Sequence, residues 1–287
     1  MTKTVVVTGA KGQLGSELAR TVPYGINLIL LDKNDLDITD SEMVSEYLNT
    51  TRPDWVINAA AYTAVDKAES EKQLAYLINE KGVENLAVAA SKSGARLLQV
   101  STDFVFDGNK NTSYDIQDKP DPINIYGSSK LAGEKAALST LGGKATVVRT
   151  SWLYSSFGHN FVKTMLRLMA EKDELNIVSD QLGTPTWAKG LAEYIWFIIA
   201  NELNGVRHWS DQGVASWYDF AVAIYDEAKM IGLLTTDCKI NPIPSSSYPC
   251  PAKRPQFSVL AKTSPVPHNQ LYHWRESLRN MLGELKV

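Results

Sequence analysis

Thr4-Val-Val-Val-Thr8, a short β-branched run, passes directly into Gly9-Ala-Lys-Gly12-Gln-Leu-Gly15, and residues 16–20 then read as helix. An unbroken apolar run of this length suits a strand buried on both faces, as in a parallel sheet. Glycines let backbone N–H groups approach a pyrophosphate, and a helix that starts there adds the positive end of its dipole. Strand, glycine-rich turn and helix are the setting in which such a fingerprint binds a dinucleotide. The spacing is Gly-x-x-Gly-x-x-Gly rather than the commoner Gly-x-Gly-x-x-Gly. A glycine turn without a ligand is the alternative, and the flanking strand and helix weigh against it.

The alternation continues for half the chain, which predicts an α/β fold. Asn27-Leu-Ile-Leu-Leu-Asp32 is a second strand ending in a carboxylate, at about the distance where an acid meets the adenosine ribose. Asp32 argues for NAD because it repels a 2′-phosphate, and Lys33 beside it offsets that. Asp37 and Ile38, in the next loop, are placed to edge the adenine. A helix over residues 41–49 takes Thr39, Asp40 or Ser41 as its cap. Trp55-Val-Ile-Asn58 runs into Ala59, Ala60 and Ala61, whose small side chains let the chain pass close under a cofactor. The loop from Tyr62 to Glu69 either faces the substrate or caps a helix over residues 74–93. Asn79 on that helix is either a surface residue or an internal brace. A fourth strand, Arg96-Leu-Leu-Gln-Val-Ser101, ends in Thr102 and Asp103. In an open α/β sheet ligands sit beyond the carboxyl ends of the strands, so these two stand where chemistry happens. The plainer alternative is that both satisfy local backbone. Ala145-Thr-Val-Val-Arg-Thr150 is a fifth strand, leading to Trp152.

Between them lies Tyr126-Gly-Ser-Ser-Lys130, followed by a helix-forming stretch. A spacing of four puts both side chains on one helix face. A free tyrosine titrates near ~10, and lowering it to near ~7 takes roughly 4 kcal/mol of differential stabilisation. A nearby ammonium supplies part of that by favouring the phenolate. Alone the pair is weak; the glycine turn and Thr102 give it weight.

With 287 residues, 44% hydrophobic and 21% charged, the chain is long enough for two packed units or one large one. A formal net charge of −3 makes no electrostatic case for nucleic acid or an anionic membrane. Cys238 and Cys250 are the only cysteines and form no CxxC or Cys/His cluster, so no metal is expected. The strand pattern begins directly after Met1 and no apolar stretch is long enough to span a bilayer, so a cytoplasmic location is expected. Residues 1–152 read as an NAD(P)-binding domain. Residues 153–287 read mainly as a smaller substrate-binding lobe, with later segments returning to the first domain. In this half, residues 161–171, 187–201, 217–230 and 268–285 read as helices and residues 175–180 as strand-like. The proline-rich residues 241–251 read as extended loop.

Thr8-Gly9-x-x-Gly12-x-x-Gly15, Asn58-Ala-Ala-Ala61, Ser101-Thr102-Asp103 and Tyr126-x-x-x-Lys130 occur in the order of the extended short-chain dehydrogenase/reductases. The chain resembles that family, and within it the dTDP-4-dehydrorhamnose reductases. The closer resemblance rests on residues 59–69, Ser101-Thr-Asp-Phe-Val-Phe-Asp-Gly108, Tyr126-Gly-Ser-Ser-Lys-Leu-Ala-Gly-Glu134, Arg149-Thr-Ser-Trp152, Asn160-Phe161, Asp180-Gln-x-Gly-x-Pro-Thr186 and Arg254-Pro255. It implies a Rossmann-type doubly wound parallel sheet with a smaller C-terminal lobe. It also implies reduction of the C4 ketone of dTDP-4-dehydro-L-rhamnose to dTDP-L-rhamnose, destined for a cell-surface polysaccharide, with NADPH or NADH as hydride donor. Tyr126, Lys130, Thr102 and Asp103 are then catalytic. Gly9, Gly12, Gln13, Leu14, Gly15, Asp32, Asp37, Ile38, Ala59, Ala60, Ala61, Asn79 and Ser101, with Tyr126 and Lys130, hold the cofactor. Val65, Thr102, Asp103, Phe104, Trp152 and Arg254 meet the substrate, Arg254 at its diphosphate. Some of these reductases form a magnesium-bridged dimer through glutamates. Lys189 stands where one ligand would be, although Glu17 and Glu193 remain, so magnesium is not expected and monomer or homodimer stays open. The competing assignments are another nucleotide-sugar 4-ketoreductase, a sugar 4,6-dehydratase, or a non-catalytic NADP-binding regulatory subunit. The dehydratases carry a glutamate base after the Thr-Asp, and that position is Phe104.

Overall fold

The computed structural model describes residues 2–266 and 271–285. Its first half alternates strand and helix: β1 (Lys3–Thr8), α1 (Gln13–Arg20), β2 (Ile26–Leu31), α2 (Ser41–Thr51) and β3 (Trp55–Asn58). Then come α3 (Val65–Ala68), α4 (Lys72–Tyr76), α5 (Gly82–Ser93), β4 (Arg96–Thr102), α6 (Ile125–Leu141) and β5 (Ala145–Thr150). Asp40 is the cap of α2, accepting from the N–H groups of Glu42 and Met43, a device worth about 1 kcal/mol. The single helix expected over residues 74–93 is instead α4 and α5 joined by a π-helical turn, Leu77–Lys81, a type of turn that recurs at functional sites.

Among the described residues the central sheet has six parallel strands, in the order Gly205–His208, β5, β4, β3, β1, β2. The order reverses between β1 and β3, which opens a crevice at their carboxyl ends. Successive strand residues point to opposite faces. Val5 and Val7 accordingly join Leu14 and Leu18 of α1 with Leu191 and Ile195 of the helix Ala188–Ala200. Val6 joins Val44 and Leu48 of α2 and Leu86 and Ala90 of α5 on the other face. After residue 152 the helix Ala188–Ala200 packs on this sheet and Gly205–His208 forms its edge strand.

The second unit packs the helices Phe161–Glu171, Trp217–Met230 and Trp274–Leu285 around Tyr154, Met165, Phe220, Ile224 and Leu278. Two expectations are corrected in it. The start of the stretch expected as extended loop is strand: Lys239–Ile243 pairs in parallel with Glu174–Val178. Pro242 is tolerated because both strands of this two-stranded sheet are edges. The last helix begins at Trp274 rather than 268; His268 itself lies outside the described residues. Tyr272 and Trp274 exchange backbone hydrogen bonds with Gln212, which holds that stretch extended until the helix begins.

Candidate active site

A cavity of about 850 Å³ opens at the carboxyl ends of β1, β3, β4 and β5. Backbone builds one end of it. Gly9 has a φ of 72°, and a Cβ there would lie 2.6 Å from the amide nitrogen of Ala60. Only glycine therefore lets the first turn lie against the end of β3, where Ala59, Ala60 and Ala61 line the wall. Gly12 caps α1 with no side chain bonded to the first turn, so the amides of Gln13, Leu14 and Gly15 face the same space. Lys33, Asp37 and Ile38 line the far rim. Thr39 donates to the Asp37 carboxylate from both its hydroxyl (2.7 Å) and its amide (2.9 Å), holding that carboxyl below its usual range.

Asp32 follows β2 directly, and its carboxylate is already engaged. Lys11 pairs with its carboxylate, Asn34 donates an amide to it, and the pKa is held down mainly by Lys11. Lys33, rather than Asp32, lines the cavity.

Side chains build the other end. β4 delivers Ser101 and Thr102, the turn after it Asp103, and α6 delivers Tyr126 and Lys130 one turn apart. Asn124 starts α6 by accepting from the Gly127 amide at 2.7 Å. A Cβ at Gly127 would lie 2.0 Å from the Phe104 carbonyl, so glycine lets α6 press on the turn after β4. Phe104 then meets the Tyr126 ring edge-on, with centroids 5.8 Å apart. The Thr102 hydroxyl hydrogen-bonds the Tyr126 phenol and donates to Asp103 Oδ1 at 3.1 Å.

The electrostatics correct the expected tyrosine. Burial pushes the Tyr126 phenol up to about 12; the Thr102 hydrogen bond opposes this and the nearby Asp103 adds to it. Lys130 does not pair with the phenol: its Nζ donates to the Val100 carbonyl at 2.7 Å. Burial pulls Lys130 down to about 8, against the attraction of Glu134. Glu134 is itself clamped by Arg149 (2.9 and 2.7 Å) and by the Ser101 hydroxyl (2.5 Å). Burial also raises the Asp103 carboxyl to about 7, opposed by hydrogen bonds from Ser258 and Thr102.

The remaining expected residues divide. Trp152 lines the cavity. Asn79 is an internal brace: it accepts from the Tyr62 amide and donates to the Tyr62 carbonyl and the Ser129 hydroxyl, tying the π turn to α6. Val65, Phe104 and Arg254 are not among the cavity's lining residues. Arg254 holds Asp66 in a bidentate pair, at 2.7 and 3.1 Å, which joins the second unit to α3. Glu17 is buried beneath Arg20 and the Ser155 hydroxyl, and among the described residues no three His, Cys, Asp or Glu side chains converge as a metal site. Thr63, in the loop that was open to facing the substrate, lines the cavity; the sequence reading missed Leu74, Ile78, Thr150, Gly158 and His159, all in the cavity wall. Leu74 and Ile78 share a helix face one turn apart, a signal that was available; the loop residues 158 and 159 carried none.

The cavity suits a dinucleotide on its own chemistry. A glycine-lined helix N-terminus faces one end, a lysine the rim, and the buried Thr150 hydroxyl, without a partner among the described residues, the other end. Comparison with known proteins agrees. The family model described as RmlD substrate binding domain matches residues 2–287. The dTDP-4-dehydrorhamnose reductase of Escherichia coli K12 is 42% identical over 98% of this chain and 97% of its own. A Clostridium acetobutylicum dTDP-4-dehydrorhamnose reductase superposes with a TM-score of 0.94 at 40% identity, covering 99% of this chain and all of that one. A Bacillus anthracis dTDP-4-dehydrorhamnose reductase, solved in complex with NADP, superposes with a TM-score of 0.93 at 38% identity over 99% of this chain and all of its own.

Proposed function

This chain belongs to the dTDP-4-dehydrorhamnose reductase family, and on that premise we propose how its residues carry out the NAD(P)H-dependent reduction of the C4 ketone of dTDP-4-dehydro-L-rhamnose to dTDP-L-rhamnose. The observation that carries the proposal is that Thr102, Tyr126 and Lys130 open into the same cavity as the glycine-rich turn.

The first-turn amides of α1 hold the pyrophosphate and Ala59–61 floor the cavity beneath it. Lys33 takes a 2′-phosphate, and Lys11, by pairing with Asp32, offsets the repulsion of that carboxylate, so that NADPH is accepted beside NADH. Bound there, NAD(P)H supplies a hydride to C4 of the sugar. Thr102 donates a hydrogen bond to the C4 oxygen and stabilises the charge that develops on it. Tyr126, protonated throughout the neutral range, gives its phenolic proton to that oxygen. Lys130, released from the Val100 carbonyl, turns its ammonium toward the ribose and the phenol, where it stabilises the phenolate as it forms. Asp103, close to neutral pH in its titration, orients the sugar beside Thr102. We place the reaction in the cytoplasm, where a freely diffusing nucleotide sugar and nicotinamide are found.

The test is to incubate purified protein with NADPH and dTDP-4-dehydro-L-rhamnose. Stoichiometric loss of nicotinamide absorbance with appearance of dTDP-L-rhamnose supports the proposal; intact NADPH in the presence of the ketone refutes it.

A further inference from the structure

Trp152 is the only cavity-lining residue among those described that combines a bulky side chain with a left-handed backbone, at a φ of 46°. An aromatic residue rarely adopts that conformation, and it persists only where its surroundings over-determine it. The surroundings are specific. The indole of Trp217, the first residue of the helix Trp217–Met230, lies parallel to that of Trp152, with centroids 3.6 Å apart and 5° between planes. Phe161 backs Trp217 at 4.7 Å. Gly183 closes the edge: a Cβ there would lie 2.5 Å from Cε2 of Trp152 and 2.6 Å from its Nε1. Ser216 fixes the start of the Trp217 helix through a capping box with Asp219, so the stacking face does not swing freely. Backbone ties hold both ends of the strained residue: the Ser151 hydroxyl donates to the Thr184 carbonyl, and the Trp152 carbonyl accepts from the Thr186 amide.

The place of this pair in the fold gives it a use. Thr150 is the register partner of Thr102, so Trp152 stands two residues past the strand end adjoining the hydroxyl that meets the C4 oxygen. It lines the cavity and is half-buried, with one indole face taken by Trp217. What remains is an apolar wall beside the reacting carbon. A ketone carbon is flat, and the sugar offers either face unless a wall fixes its orientation.

We propose that Trp217 and Gly183 are positioning residues that lock the Trp152 indole as the wall of the sugar subsite, and that this wall decides which face of C4 is reduced. The proposal rests on the reductase function given above and adds what sets its stereochemistry. Trp217 touches Trp152 rather than the reacting atoms. Without it the indole leaves its place, the 6-deoxy sugar has room to turn over, and some product is the C4 epimer.

The test compares wild type, Trp217→Ala, Trp217→Phe and Gly183→Ala with NADPH and dTDP-4-dehydro-L-rhamnose. Circular dichroism first reports the exciton couplet of the stacked indoles, which Trp217→Ala abolishes and Gly183→Ala weakens. The expected result is a rise in KM for the sugar nucleotide of about tenfold for Trp217→Ala, the loss of one favourable aromatic contact. The C4 epimer appears among its products by NMR. NADPH affinity stays within about twofold, because the glycine-lined end is a separate part of the cavity. Trp217→Phe keeps a stacking face and restores both KM and stereochemistry. Gly183→Ala reproduces the defect from the edge of the indole, so misfolding of one variant leaves the other to decide. Loss of the couplet with KM and a single epimer unchanged overturns the role of the pair and leaves the reductase function standing. A wild type that shows the couplet but does not reduce the ketone overturns both.

Discussion

The two ends of the cavity are made from different material. At the dinucleotide end the walls are main chain and small residues: Gly9, Gly12, Gly15 and Ala59–61. Its carboxylates, Asp32 and Asp37, are held low by hydrogen bonds and a lysine. At the reacting end the walls are large side chains brought from segments far apart in the sequence, and burial displaces their titrations. Tyr126 is raised, Lys130 is lowered, and Asp103 is raised. Beneath them lie the buried Arg149–Glu134 pair and His208, which burial lowers to about 4. The first end recognises a constant ligand by shape and dipole. The second carries perturbed groups, as a site that moves protons does. The difference predicts opposite vulnerabilities: the dinucleotide end fails when atoms are added, the reacting end when they are removed.

The largest effect expected from this comparison is at the reacting end. Tyr126→Phe removes one oxygen and should lower kcat by about 10²–10⁴-fold while NADPH binding by calorimetry stays unchanged. Turnover within a few-fold of wild type would remove Tyr126 from the mechanism.

His208 gives the next largest effect, and it concerns stability. Its folded pKa lies below the ordinary 6.5, so its contribution is complete above that value and is lost as pH falls through about 4. The total is on the order of 3 kcal/mol. Urea unfolding of wild type and His208→Gln across this window should show a flatter acid limb for the variant; parallel limbs would mean that His208 protonates in the folded protein without cost.

At the dinucleotide end, Gly9→Ala adds a single carbon against the Ala60 amide at a left-handed backbone position. It should lower stability by on the order of 2 kcal/mol and abolish the thermal shift produced by NADPH, whereas the same change at the exposed helical Gly283, where a Cβ meets nothing, should do neither. Equal shifts in Gly9→Ala and wild type would show that the turn does not approach the cofactor.

The smallest effect concerns cofactor choice. Lys33→Ala should lower the NADPH/NADH ratio of kcat/KM by about fivefold, as loss of one charged contact at an exposed rim does. Asp32→Ala should move it less, because Lys11 occupies that carboxylate. A larger effect from Asp32 would place the ribose on that side chain after all.

The sequence made the dinucleotide end legible because its determinants are contiguous: strand, glycines and helix occupy one stretch, and alternation carries on to β5. Tyr126 and Lys130 were legible as a pair through helical spacing. What the four-residue spacing did not carry was the state of the pair. Proximity along a helix says that two groups share a face, but not that the ammonium turns to the Val100 carbonyl or that Phe104 and the sheet desolvate the phenol. Asp32 is a similar case: its position after β2 was readable and its engagement by Lys11 was not. Arg254 was readable as a basic residue in a loop, while its bidentate partner Asp66 lies 188 residues away. The Trp152–Trp217 stack joins two segments with no pattern between them, so only the folded chain reveals it.

The central claim is that this cavity reduces a C4 ketone and does not eliminate water, since Phe104 offers no base beside Asp103. The most direct measurement is mass spectrometry of two incubations, one of dTDP-4-dehydro-L-rhamnose with NADPH deuterated at the transferable position, the other of dTDP-glucose with NAD⁺. The expected result is dTDP-L-rhamnose carrying one deuterium at C4 in the first and unchanged dTDP-glucose in the second. Loss of water from dTDP-glucose without net change in cofactor, with no deuterium entering C4 of the ketone, would contradict it.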